Sequence, residues 1–248
     1  MRRLSFSFLL GTLGLLGLGL GTLCHGEARI LVPNIPPYAY EAGGEVKGVA
    51  YELVREMARR VGHSGKVELM PLPRIMETIR LRPDVVTMLA GGAKLDPGVN
   101  WLVKLMDEPM LLVLDRRSGV EVSSLEAARQ LRVGVQAGSP AEQMARAQGF
   151  TQLETVPVPE HNANKLALHR IDAWLVAWPV AQAAQQKARL PLANLRRGLV
   201  VGTVSGYLVA SLRFDPAEAD KWKAAVEAMR RDGSYASIVS HYHFTPLP

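Results

Sequence analysis

The chain has 248 residues, of which 48% are hydrophobic and 21% charged, with a net charge of +6 at pH 7. That is enough for one or two domains with a real core, and it excludes a disordered or low-complexity polypeptide. Lysines and arginines are scattered and mostly neighboured by Glu or Asp, with no basic stripe interleaved with aromatics, so the excess charge reads as a solvated surface and no nucleic-acid partner is expected.

Met1-Arg2-Arg3 is a short cationic start, Leu4 to Leu23 carries no charge, and the chain turns polar at Glu27. This is the layout of a secretory signal peptide over residues 1–26, and it implies a periplasmic destination. Cleavage after Gly26 fits the small residues at Cys24 and Gly26, and cleavage after Ala28 is the alternative. A lipidated Cys24 and an uncleaved membrane anchor are the rivals, although Leu23 is larger than a lipidation signal wants. Gly17, Gly19 and Gly21 lie in no βαβ unit and are not a dinucleotide motif. Cleavage removes the one cysteine, so a disulfide-free core must hold the protein.

Arg29–Val32 reads as a strand closed by the turn-rich Pro33-Asn34-Ile35-Pro36-Pro37. Val49, Leu53, Val54, Met57, Ala58 and Val61 form a helical stripe stopped by Gly62. Val67–Met70 reads as a strand, Arg74–Leu81 as a helix, and Val85–Ala90 as a buried strand followed by Gly91-Gly92. Met110–Leu114 is the next strand, and the polar loop from Asp115 to Ser124 marks a boundary. Helices are expected over Leu125–Gln130, capped by Ser124, and over Pro140–Gln148, capped by Ser139 with proline at the first helical position. Between and after them come strands at Leu131–Val135, Leu153–Val156 and Ala173–Ala177, and helices at His161–His169 and Ala181–Ala188. Leu199–Val204 reads as a return crossing, Tyr207–Leu212 as a strand, Pro216–Arg231 as an amphipathic helix with Trp222, Val226 and Met229 inward, and Tyr235–Tyr242 as a last short helix.

Alternating strands and helices at this pitch predict an α/β protein with parallel strands. Residues 27–115 make the first part of lobe one, 116–203 lobe two, and 204–248 a return segment of lobe one. Two crossings make a hinge, and a cleft lies between the lobes, beyond the carboxyl ends of the strands. Gln136, Gly138 and Ser139, at a strand end leading into a helix, offer an anion site of free N–H groups, or Ser139 is only a cap. Tyr38, after two prolines, is placed to stack on a ligand or to pack at the rim. Gly91 and Gly92 allow close approach of a ligand to the backbone, or form a plain turn. Arg74, at a helix start where a cation is poorly placed, points to a role in the cleft or to a salt bridge. Trp178 offers an aromatic wall, whereas Trp174 reads as core. The histidine pairs 161/169 and 241/243 lack a third ligand, and neither a Gly-x-Ser-x-Gly elbow nor a phosphate loop occurs, so no metal, cofactor or catalytic residue is expected.

Pro36-Pro37-Tyr38, Gly48-Val49-Ala50-Tyr51-Glu52-Leu53, Val133 to Ser139, Arg170-Ile171-Asp172-Ala173, Tyr207-Leu208-Val209-Ala210 and Asp232-Gly233-Ser234-Tyr235 occur in this order across nearly all of the chain after residue 26. In order and spacing this resembles the family 3 solute-binding proteins of ABC transporters, of the polar amino-acid type. The resemblance implies a type II periplasmic-binding-protein-like fold, closure on a small solute, delivery to an ABC permease in the inner membrane, and a monomer. Two departures stand out. The family's Thr-x-Glu-Arg run, whose Arg clamps a ligand carboxylate, is replaced by Gly91 to Asp96, with the Arg position on or beside Leu95 and Lys94 either substituting for it or simply exposed. The Asp that would bind an amine after the strand at 173–177 is replaced by Ala177-Trp178-Pro179. An atypical ligand is therefore expected. The alternatives are an enzyme on the same fold, a dehydratase for which Glu52 and Glu160 are the only carboxylates to nominate, and a sensing module without transport.

Overall fold

The computed structural model describes residues 27–91 and 96–247. The expected signal peptide, Gly92 and Lys94 fall outside those residues.

One eight-stranded sheet runs through the protein. Its strands are β1 (Arg29–Pro33), β4 (Val67–Met70), β5 (Val85–Gly91), β6 (Val99–Asp115), β7 (Arg132–Gln136), β8 (Gln152–Val156), β9 (Ala173–Ala177) and β10 (Leu195–Ser211). They lie in the order β4-β1-β5-β10-β6-β9-β7-β8. Two further strands, β2 (Tyr40–Ala42) and β3 (Glu45–Lys47), form a hairpin of their own. The helices are α1 (Val49–Val61), α2 (Leu72–Leu81), α3 (Leu125–Ala128), α4 (Pro140–Ala147), α5 (Pro159–Ala167), α6 (Trp178–Lys187), α7 (Pro216–Arg231) and α8 (Ser234–His241). None of these is long and apolar enough to cross a membrane.

The sheet is parallel at both ends and antiparallel in the middle. β4, β1 and β5 run one way, β9, β7 and β8 the other, and β6 and β10 join them through antiparallel ladders. α1 buries Val49, Leu53, Val54 and Met57 against one face of the first half of the sheet and ends at Gly62, whose left-handed backbone (φ 75°) closes the helix. α7 starts at Asp215, which caps the Glu218 N–H at 2.9 Å, and drives Trp222, Val226 and Met229 into the same core. α2 covers the opposite face, with Ile75 and Ile79 against Leu31, Val85 and Val209. A separate core around Trp174, Leu112, Val133 and Leu166 fills the second half. Trp174 is core, as its place inside a buried strand predicts.

Two elements differ from the expectation. The strand read as Met110–Leu114 is the last third of a seventeen-residue strand, and the pieces read as Leu199–Val204 and Tyr207–Leu212 belong to one strand of the same length. Bulges between Arg197 and Gly202 and between Gly206 and Val209 break the register of β10, which is why its side-chain alternation is irregular in the sequence. The sequence reading divides the chain after 115 and after 203. The apolar clusters change over inside the long strands, between Met106 and Met110 in β6 and between Val204 and Leu208 in β10. The result is a mixed α/β architecture of two lobes joined by two strand crossings.

Candidate functional site

The strand directions place the site. β1 and β5 point their carboxyl ends toward the second core, and β7 and β9 point theirs toward the first. In open α/β sheets, ligands bind beyond such ends. The ladder fixes how closely they approach. Gly91, the last residue of β5, lies opposite Ser205, which lies opposite Asp107; Ala177, the last residue of β9, lies opposite Met110. Only Glu108 and Pro109 stand between the two levels, about 10 Å along the strand.

Tyr38, in the turn after β1, packs against both apolar cores and tilts against Phe244 at 5.5 Å between ring centroids. Trp178 opens α6 directly after β9, and the Arg197 guanidinium lies 4.7 Å from its ring centroid. Gln136 ends β7 and donates to the Pro157 carbonyl at 3.3 Å. Gly91 is buried at the end of β5. These four stand on facing strand ends.

The other expected contacts are engaged locally or lie elsewhere. The Ser139 Oγ accepts from the Glu142 N–H at 3.2 Å and donates to the Gln136 carbonyl at 2.7 Å, which makes it the cap of α4. The Gly138 N–H donates to the Glu142 carboxylate at 2.7 Å, so the helix's own acid occupies the position an anion would take. Arg146 and that N–H hold the Glu142 carboxyl below the usual carboxylate range. Arg74 is exposed in the first turn of α2, just after the carboxyl end of the edge strand β4, whose last residue Met70 lies opposite Pro33, and it makes no ion pair among the described residues. Glu52 accepts from the Tyr242 hydroxyl. Glu160 pairs with Lys187 at 2.7 Å, and although burial pushes its pKa up, the hydrogen bond and charge of Lys187 together with a backbone hydrogen bond and His161 outweigh this and lower it. Both carboxylates nominated for an enzyme are therefore committed to neighbours.

The sequence reading missed Glu108. It sits on β6 between the facing strand ends, 9% exposed, and its Oε2 is sealed from solvent without a donor among the described residues. Burial pushes its pKa up to about 7, and the Arg197 guanidinium offsets only part of that. Burial, with the Glu108 carboxylate adding to it, also pushes the Tyr38 phenol well above its ordinary value. The signal available in the sequence was a lone Asp107-Glu108 step set among Leu105, Met106 and Met110–Leu114, an apolar run that has no surface to offer it.

Two cavities lie where the turn after β1 meets α5 and α6. The first, about 130 Å³, is lined by Asn34, Ile35 and Pro36 from one side and by Gln136, Glu160 and Lys187 from the other. The second, about 380 Å³, is lined by Asn34, Pro36, Tyr40, Glu41 and Lys187 and makes a charged rim.

No family model and no curated protein matches the chain. Solved structures do. A histidine kinase sensor domain with similarity to periplasmic binding proteins aligns over 89% of this chain and 99% of its own, with a TM-score of 0.76 and 17% identity. EhuB in complex with hydroxyectoine aligns over 89% of each chain, at 0.74 and 19%. The amino acid ABC transporter substrate-binding protein AbpA from Streptococcus pneumoniae, bound to L-arginine, aligns over 87% of this chain and 94% of its own, at 0.71 and 16%. At these identities the likeness is one of fold, and the chain has the architecture of periplasmic binding proteins.

Proposed function

We propose that this chain is an exported solute-binding protein of the family 3 type, which closes its two lobes on a small polar solute and passes it to an ABC permease. The observation that carries the reading is the opposition of strand ends: Pro33 and Gly91 on one side, Gln136 and Ala177 on the other, with β6 and β10 the only strands among the described residues to span the gap. Such a layout gives a ligand two walls and a floor, and lets binding favour the closed arrangement by its extra contacts there. Tyr38 and Trp178 supply aromatic walls, Gln136 a polar group, and Gly91 an approach to the backbone. The committed state of Glu52 and Glu160 supports binding without chemistry. The sequence layout of residues 1–26 supports export to the periplasm, where the protein acts as a monomer.

The test is a thermal-shift screen of the purified exported chain against amino acids, polyamines, organic acids and quaternary amines, followed by small-angle scattering with any ligand that binds. A binder raises the unfolding temperature and reduces the radius of gyration, and Tyr38→Ala and Trp178→Ala each weaken it at least tenfold. A binder that leaves the radius unchanged, or that ignores both substitutions, refutes the cleft. Deleting the gene abolishes uptake of that ligand; uptake that persists reassigns the protein to sensing, a role served by the same closure.

A further inference from the structure

The floor of the cleft carries a buried carboxyl group with no hydrogen-bond donor among the described residues. Glu108 is the one residue apart from Pro109 between the level of Gly91 and the level of Ala177 on β6. It is more than nine-tenths buried, its Oε2 has no donor among the described residues, and no described Lys or Arg lies within ion-pair distance of it. A lone carboxylate taken out of water costs several kcal/mol unless something compensates it, so a fold does not place one at a joint between two cores merely for packing. Tyr38, after β1, is close enough to feel its charge, and so is Arg197, whose guanidinium lies over the ring of Trp178 at the start of α6. The ring of Trp178 already holds a guanidinium, that of Arg197, at 4.7 Å, which demonstrates that its face accepts a planar cation in this setting.

We propose that Glu108 is the counter-charge for a cationic group on the ligand, so that the cleft selects solutes bearing a guanidinium, an ammonium or a quaternary amine. This rests on the solute-binding reading above and adds to it the charge of the solute and the residue that reads it. The cation enters between Tyr38 and Trp178, completes the unmatched carboxylate, and replaces the water that the closing lobes expel. An anion meets the opposite situation, since Glu108 repels it, the Gly138 N–H at the start of α4 is already taken by the Glu142 carboxylate, and the Glu142 N–H by Ser139.

The experiment is a calorimetric titration of the purified exported chain with charge-matched pairs, L-arginine against L-citrulline and choline against 3,3-dimethylbutanol, in which shape is kept and the charge removed. In at least one pair the cation binds ten times or more tighter than its neutral partner. Glu108→Gln abolishes that difference, and Glu108→Asp keeps part of it. Both variants are first shown to melt cooperatively, no lower than the parent at pH 8 for the Gln variant, so that loss of binding is not loss of fold. Equal binding of the two members of each pair, or a preference that survives Glu108→Gln, overturns the proposal. If the screen yields only neutral or anionic ligands that depend on Tyr38 and Trp178, the charge assignment fails while the solute-binding reading stands. If no solute of any class binds, both fall together.

Discussion

Ser139 and Glu108 both stand at the join between the lobes, and they show opposite polar accounting. At the start of α4 the hydroxyl and the acid are satisfied within the chain: the hydroxyl caps the helix, and the acid of the first turn takes the N–H of Gly138. At the middle of β6 a carboxylate has no hydrogen-bond donor among the described residues. The helix start resembles a ligand motif and is saturated by itself; Glu108 passes for an ordinary charged residue in a strand and is left wanting. In a binding protein the unmatched group is the better guide, because an incoming molecule gains most where the fold has left an interaction unmade.

The largest test of this contrast concerns Glu108 without any ligand. Its folded pKa of about 7 lies above the ordinary 4.5, so folding favours the neutral acid. The penalty on the charged form is absent below pH 4.5, grows above it and is complete beyond pH 7, where it amounts to about 3 kcal/mol. Glu108→Gln therefore matches the parent in urea unfolding at pH 4 and exceeds it by about 3 kcal/mol at pH 8; a gap of the same size at both pH values would refute the assignment. The charged neighbour of this group is Arg197, and Tyr38 remains protonated throughout.

Ser139→Ala comes next, with a loss of about 1 kcal/mol at any pH from 5 to 8, since it removes a cap and nothing else. A tenfold drop in affinity for a confirmed ligand, with stability intact, would instead return Ser139 to the site. Arg197→Met costs about 0.5 kcal/mol through the lost contact with Trp178. Its more telling effect is on titration: with the guanidinium gone, the midpoint seen for Glu108 moves upward, and cationic probes bind more tightly because a resident competitor has left the ring. Glu142→Gln has the smallest effect, a loss of about 0.3 kcal/mol read by chemical denaturation, as a neutral amide suits a helix start less well than an acid.

Much of the scaffold was legible beforehand, and the reasons are local. The stripe from Val49 to Val61, the stop at Gly62 and the proline-led starts of α4 and α7 are decided by neighbours in sequence. The hairpin of β2 and β3 went unread although its signal was present, since Gly43 and Gly44 both take the left-handed backbone that a tight two-residue turn requires. The long strands were harder. In β6 the polar Lys104, Asp107, Glu108 and Pro109 interrupt the apolar run, and in β10 the bulges shift the alternation, so neither stretch shows the period of a single strand. The site divides the same way. Tyr38, Gln136 and Trp178 sit next to turns and strand ends that the sequence announces. Glu108 acquires its meaning from neighbours about seventy and ninety residues away, Tyr38 and Arg197, which only the folded sheet brings near.

The pair of seventeen-residue strands has a mechanical consequence. A single linker lets two bodies rotate about every axis, whereas two leaves clamped side by side along a ladder resist shear and torsion and yield mainly by flexing out of plane. Gly198, Gly202 and Gly206, spaced four apart along β10, leave room that Leu112 and Leu114, Met144 and Met106 fill in turn, the last two with pliable side chains. For the closure proposed above, such a joint acts as a leaf spring with one soft mode, which would bring the two jaws together each time in the same alignment.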